Sequence, residues 1–300
     1  MLNVEIKDSS FSDIVDVEAG IKQVVTGFDF LEGPIYHPTY GSILFSDIMG
    51  NSLFSWHPEH GLTKRRINSY MANGNAYDHQ GRFVTCEHAT SRLTRTDITN
   101  DGYEVLASHY AGKQLNSPND VVVKQDGTIY FTDPTSGRSA GFGVPREQEL
   151  SYQGVYKLDP ASKELTLLVD DFSKPNGLCF NKDQSSLFVN DTDRQHIRVF
   201  DMQADGALAN GRLFANLEGK LPGVADGMKI DEDENVYCCG PGGIQVFSKD
   251  GAALGTIIMP EKTANFVFGD EDRKSLYVTA STSLYKLRVK VPGYLTFNPA

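Results

Sequence analysis

Residues 120–169 read DVVVKQDGTIYFTDPTSGRSAGFGVPREQELSYQGVYKLDPASKELTLLV, and four β-rich runs separate within them: DVVVK, TIYFT, GVYKL and ELTLLV. A QDG turn joins the first two and a DPASK turn joins the last two. Alternation is blurred in the first run, as in a strand covered on both faces, and clearer in the later ones. The stretch therefore predicts four antiparallel strands with one long loop between the second and third.

The same unit recurs along the chain. Turn-led β-rich runs appear six times, as GSILFSD, GRFVTCE, GTIYFTD, SSLFVND, ENVYCCG and KSLYVTA, ending at Asp47, Glu87, Asp133, Asp191, Gly240 and Ala280. The intervals are 40, 46, 58, 49 and 40 residues, and about 40 residues hold four strands with their turns. The longest interval contains the polar, Gly-rich segment 136–153, which reads as a loop insertion able to overhang a neighbouring surface as a lid. Helical periodicity is absent, and 145–150 has room for a turn or two at most. Six such units predict an all-β chain, a six-bladed β-propeller forming one unit over 1–300. The last unit, from Thr263 to about Val289, has room for three strands only, and KQVVTGF at 22–28 is available as the fourth. Pairing it there closes the ring and removes an open edge.

Composition sets the class of partner. The chain of 300 residues carries 28 Lys+Arg against 39 Asp+Glu, a net charge of −11, which disfavours nucleic acid because phosphate backbones require a basic face. No apolar run approaches the roughly 18 to 20 residues that cross a bilayer, and the start MLNVEIKDSS has neither the basic nor the apolar region of a leader. A soluble, cytoplasmic protein without membrane or nucleic-acid partners is expected, its oligomeric state left open. Cys86, Cys179, Cys238 and Cys239 lie inside apolar runs without a CxxC spacing, so buried thiols are expected rather than a disulfide framework or zinc site.

Counting back 14 or 15 residues from the six run ends reaches Glu32, Asn73, Asn119, Asn176, Asp226 and Asn265, where the blades are expected to start. The first strand of each propeller blade lines the central channel, so these side chains converge at one mouth. Two carboxylates and four amides form an oxygen-only set suited to a hard divalent cation, Ca²⁺ first, with Mg²⁺, Mn²⁺, Zn²⁺ or Fe²⁺ as alternatives. The competing explanation is that Asn, Asp and Gly simply make turns there. Glu32 argues against it, being a poor turn former.

FLEGPIYHP, NGNAYDHQGRFVTCEH, LNSPNDVVVKQDGTIYFTDP, KPNGLCFNKD and ADGMKIDEDENVY together resemble the SMP-30/gluconolactonase family of sugar lactonases, over essentially residues 27 to 290. The resemblance implies a six-bladed propeller with one catalytic divalent metal. It makes Glu32, Asn176 and Asp226 the protein ligands, Asn119 a fourth ligand or a substrate contact, and Asp226 the general base. Asn73, Ser117 and Asp133 are further substrate-binding candidates. Ser117 stands where some relatives carry a substrate-contacting Arg, so their sugar contacts do not transfer. The family's FGG reads FGD here, ending in Asp270. The implied reaction opens a small-molecule sugar lactone, such as a gluconolactone, to its aldonic acid. Asp226 or a metal-bound hydroxide would activate the water. No GxSxG nucleophile or His triad is visible. The alternatives are a lactonase or esterase for less polar substrates and a non-catalytic Ca²⁺-binding propeller.

Other residues have plainer expectations. Glu87 and His88 read as a structural pair at a blade edge, Arg138 as a solvated loop charge, and Trp56 as packing between blades.

Overall fold

The computed structural model describes residues 1–97 and 102–297. Six antiparallel sheets of four or five strands succeed one another in chain order, with a small two-stranded ribbon, His109–Tyr110 and Lys113–Gln114, between the second and third. Blade 1 comprises Leu31–His37, Ser42–Asp47, Ser52–His57 and Gly61–Ile67. Blade 2 follows with Ala72–Tyr77, Phe83–Glu87, Arg92–Asp97 and Gly102–Ala107. Blade 3 has Val121–Val123, Ile129–Asp133, Gln153–Leu158 and Leu165–Phe172, the four runs expected from 120–169. Blade 4 spans Pro175–Phe180 to Leu208–Asn216, and blade 5 Met228–Ile230 to Ala253–Ile258. Thr263–Gly269, Ser275–Ala280 and Ser283–Arg288 build blade 6, and Lys22–Thr26 adds its fourth strand antiparallel to Ser283–Arg288. The chain is the six-bladed propeller that the repeat predicts, closed by an N-terminal strand. Among the described residues no helix is long and apolar enough to cross a membrane.

The first twenty residues do more than the sequence suggested. Val4–Ile6 pairs with Ala253–Ile258 and makes blade 5 five-stranded. A single helical turn at Phe11–Ile14 then drives Phe11 fully out of solvent into the apolar layer between blades 5 and 6. Burying such a side chain contributes about 1.5–3 kcal/mol.

The core lies between blades, as face-to-face sheets require. Five of the six interfaces hold clusters of nine to nineteen buried apolar residues. Trp56 packs at 5.5 Å on Tyr277, joining blades 1 and 6 as expected. All four cysteines are buried free thiols.

Three blades share a device that fixes the loop before the first strand. Asp47, Asp133 and Asp191 close the second strands of blades 1, 3 and 4. Each takes two consecutive backbone N–H groups from that loop: Asp29 and Phe30, Asn116 and Ser117, Ser173 and Lys174. A carboxylate accepting two such bonds pins the loop's path, and the loop positions the axial residue that follows it.

After blade 6 the C-terminal segment crosses the channel mouth opposite the axial residues. Gly293 and Tyr294 donate their N–H groups to the carbonyls of Arg273 and Ile230, and Phe297 stacks on Tyr77 at 4.8 Å. Beneath it remains a cavity of about 80 Å³, walled largely by Ile35, Val122, Phe180, Val267 and Phe297.

Candidate active site

The six axial residues fall at or just before the first strands of their blades, and each is at least nine-tenths buried. Glycines let them crowd the axis. A Cβ on Gly33, after Glu32, would lie 2.1 Å from the Asn73 carbonyl oxygen, and one on Gly177, after Asn176, would lie 2.2 Å from that of Asp226. Polar side chains on the second strands hold the next blade's axial backbone: Ser46 donates to the Asn73 carbonyl, Thr132 to that of Asn176, and Asn190 to that of Asp226.

Glu32 and Asp226 come close enough for their carboxyl groups to hydrogen-bond. Glu32 Oε2 also accepts the Gly33 N–H at 2.7 Å and the Asn265 side-chain N–H at 3.2 Å. Burial raises both carboxyl pKa values, and their mutual repulsion raises that of Asp226 further. Lys262 opposes the rise at Asp226. Two buried carboxyl groups in contact require a shared proton or a cation between them.

The amides divide into free and tied. Asn176 donates at 3.0 Å to Thr192 Oγ1, which donates on to the Ala225 carbonyl at 2.7 Å, so the Asn176 amide oxygen is turned away from this chain and remains available. The Asn119 side chain makes no hydrogen bond among the described residues, while its backbone is fixed by Thr132 and Gly74. Asn265 is tied between Glu32 and Lys229. Asn73 donates at 3.0 Å to His88 Nε2. Glu32 and Asp226 thus meet as a pair of carboxyl groups, and the buried side chains of Asn119 and Asn176 at the equivalent positions of blades 3 and 4 offer further oxygens, donor types that fit a hard divalent cation.

Asp120 was not singled out in the sequence, although it stands in the same SPND motif as Asn119. It is buried, its Oδ1 accepts its own strand's Val121 N–H, and its charge acts on both Glu32 and Asp226. Burial raises its pKa and Lys229 opposes that rise.

Ser117 and Asp133 do not reach the channel as substrate contacts would. Both are fully buried. Asp133 uses both oxygens on the N–H groups of Asn116 and Ser117, at 2.8 Å each, and burial pushes its carboxyl up to about 7 against that pull. Ser117 Oγ donates to the Pro134 carbonyl and accepts the Gly137 N–H. The two residues shape the SPND loop from beneath.

The insertion 136–153 does overhang the mouth. Its Phe142 ring meets Phe30 of blade 1 edge-on at 4.9 Å, and its Phe142 carbonyl accepts the Nδ1–H of His88 at 2.7 Å. His88 therefore links the insertion to axial Asn73 as a neutral ring, and burial lowers its pKa to about 4. It does not pair with Glu87, which faces the other way to Tyr103, Arg92, Thr90 and Thr94. Arg138 is not a solvated charge either. It is 8% exposed, with its guanidinium on the carbonyls of Asn116, Leu115 and Glu147. Arg146 fastens the segment to blade 2 through the His88 carbonyl and Ser91.

Asp270, in the FGD variant, sits at φ 65°, where glycine is favoured, and holds Tyr277, Ser275 and Lys286 with its carboxylate. His57, Glu59 and His60 also gather in a surface hairpin. The Glu59 N–H occupies His57 Nδ1 there, which leaves the proton on Nε2 and no free lone pair on that ring.

Residues 30–282 match the family model described as the SMP-30/Gluconolactonase/LRE-like region. A gluconolactonase of Zymomonas mobilis is 28% identical over 302 residues, 93% of this chain and 84% of that protein. The solved structure of a gluconolactonase from Xanthomonas campestris superposes with a TM-score of 0.88 at 32% identity, over 95% of this chain and 94% of that one. A calcium-binding protein, regucalcin, from Agrobacterium tumefaciens shares the fold at 19% identity, with a TM-score of 0.77 over 94% of this chain and 97% of that one.

Proposed function

The chain belongs to the SMP-30/gluconolactonase/LRE-like family, and from that premise we propose that it is a lactonase that hydrolyses a small sugar lactone to its aldonic acid with one divalent cation, Ca²⁺ first. The observation that carries the reading is the meeting of the buried carboxyl groups of Glu32 and Asp226 at the axis. Glu32, Asn176 and Asp226 would hold the cation, with Asn119 as a fourth ligand or a contact to the lactone. When bound, it supplies Lewis acidity that polarises the lactone carbonyl.

The chain's own groups account for the rest. Asp226 accepts a proton from the attacking water as the new C–O bond forms at the carbonyl carbon. The ring C–O bond then breaks, and its oxygen takes up a proton to become the hydroxyl of the acid. Glu32 and Asp120 keep negative charge around Asp226, which favours uptake of that proton. Asn73, held by His88, presents its amide to the sugar hydroxyls. The insertion, through Phe142 on Phe30, narrows the mouth and limits the water around the reacting bond.

The test follows acid release from glucono-, xylono- and galactonolactones after chelator treatment, as Ca²⁺, Mg²⁺, Mn²⁺, Zn²⁺ or Fe²⁺ is restored, with Asp226→Ala alongside. Metal-restored turnover that the variant lacks is expected. Hydrolysis no faster than the spontaneous rate with every metal would overturn the reading.

A further inference from the structure

The pseudo-sixfold repeat is broken at one interface. Between blades 1 and 2 the buried apolar cluster shrinks to Ile35, Leu44, Tyr77 and Phe297, against nine or more residues at every other interface. The space so released is a cleft of about 630 Å³, within the size range of small-molecule sites. It opens on the flank of the propeller, between the second to fourth strands of the two blades, apart from the axial carboxylates.

Its walls are unlike those of two other grooves between blades. The grooves of about 460 and 240 Å³ carry as many acids as bases or more, with Glu234 and Asp250 in one and Asp126, Asp159, Glu164 and Asp205 in the other. Among the described residues, the blade 1–2 cleft carries Arg65 and Arg66 against a single carboxylate, Asp97. Arg82, Arg92 and Arg95 nearby are all salt-bridged. Neither Arg65 nor Arg66 has a carboxylate partner among the described residues, in a chain whose net charge is −11. Arg65 is steered by Ser55, which takes its Nε–H at 2.6 Å and leaves the terminal N–H groups free. Arg66 lies over the Tyr103 ring at 5.0 Å, an arrangement that leaves the guanidinium edge open.

Two further groups in the walls lack partners. His37 is 7% exposed and packs by its ring on Tyr40 and Tyr77, yet its Nδ1 is buried without a hydrogen bond. Thr96 Oγ1 is buried in the same condition. Groups left so are destabilising unless something meets them. Tyr77, Phe83 and Tyr103 supply flat apolar surface between these polar points.

We propose that the blade 1–2 cleft binds a small aromatic anion, its carboxylate or phosphate on Arg65 and Arg66 and its ring against Tyr77, Phe83 and Tyr103. The guanidinium fork suits either anion, and the aromatic walls favour a ring over an open chain.

Phenyl phosphate and 3-phenylpropionate are titrated calorimetrically into the full-length protein, with 3-phenylpropan-1-ol as the neutral comparator. At least one anion is expected to bind ten-fold or more tighter than the alcohol, and the better of the two identifies the preferred head group. Arg65→Met with Arg66→Met keeps the apolar stems and is expected to weaken that anion at least ten-fold while lactone turnover is unchanged. If the double variant does not fold, each single variant gives the same reading. Equal binding of anions and alcohol, or variants that bind like the parent, would overturn the proposal.

Discussion

Glu32 and Asp226 enter the axis from blades 1 and 5, nearly two hundred residues apart in sequence, and their carboxyl groups meet within hydrogen-bonding reach. Each is the like charge that the other must tolerate. Removing one therefore relieves a repulsion in the metal-free protein while dismantling the proposed cation site. Glu32→Gln and Asp226→Asn are expected to unfold at higher temperature than the parent in chelator. They should also lose at least a hundred-fold in lactone turnover with metal present, within the range for losing a catalytic group of this kind. Melting curves in chelator and acid-release rates with metal read the two effects separately. A variant that keeps parental turnover would remove that residue from the site.

Asp133 supplies a different kind of effect. Asp133→Asn replaces one acceptor oxygen by an NH₂ that faces a backbone N–H, orphaning a buried donor at a cost of about 1–3 kcal/mol. Urea denaturation should show that loss. Turnover at a temperature where the variant is folded should fall by much less than for Asp226→Asn. A larger fall would return Asp133 to the reacting centre.

His88 gives the stability a pH dependence of defined sign. Its pKa is about 4 in the fold and near 6.5 when unfolded, so the unfolded chain takes up the proton first on acidification. Its contribution is complete above pH 6.5 and is lost as pH falls towards 4, by a total of about 3 kcal/mol. In His88→Gln the difference in unfolding free energy between pH 7 and pH 5 is expected to be smaller than in the parent. An unchanged difference would mean that the ring takes up its proton alike in the folded and unfolded chain.

The N-terminal segment is expected to be indispensable in two stages. Phe11→Ala leaves a hole between blades 5 and 6 and should cost about 3–5 kcal/mol in denaturant unfolding. Deletion through Thr26 also strips blade 6 of its outer strand and exposes the edge of Ser283–Arg288. That protein should be recovered as aggregates. A soluble monomer with normal turnover would show that ring closure does not depend on this strand.

The repeat was legible because period-two runs and their turns are local, and the axial residues were legible because each sits at a fixed offset from such a run. What stayed hidden depends on three-dimensional neighbours. Asp133 and Asp47 resemble exposed strand-end acids in the sequence, and only the fold brings Asn116, Ser117, Asp29 and Phe30 under them. Arg138 sits among Gly and Ser, the composition of a wet loop, yet the carbonyls that neutralise it come from the other side of blade 3. Phe11 lies in a short polar stretch with no periodicity to betray that its ring is buried. Asp120 is hidden behind its neighbour Asn119, because the fixed offset from each run picks out one residue per blade.

The C-terminal strap over the far mouth, with Tyr294 on Ile230 and Phe297 on Tyr77, turns a tube into a cup. Traffic through a cup has one doorway. An incoming lactone and a departing aldonate must use the same entrance beneath Phe142, so they cannot pass through in file. Occupancy by the spent molecule would then exclude the fresh one.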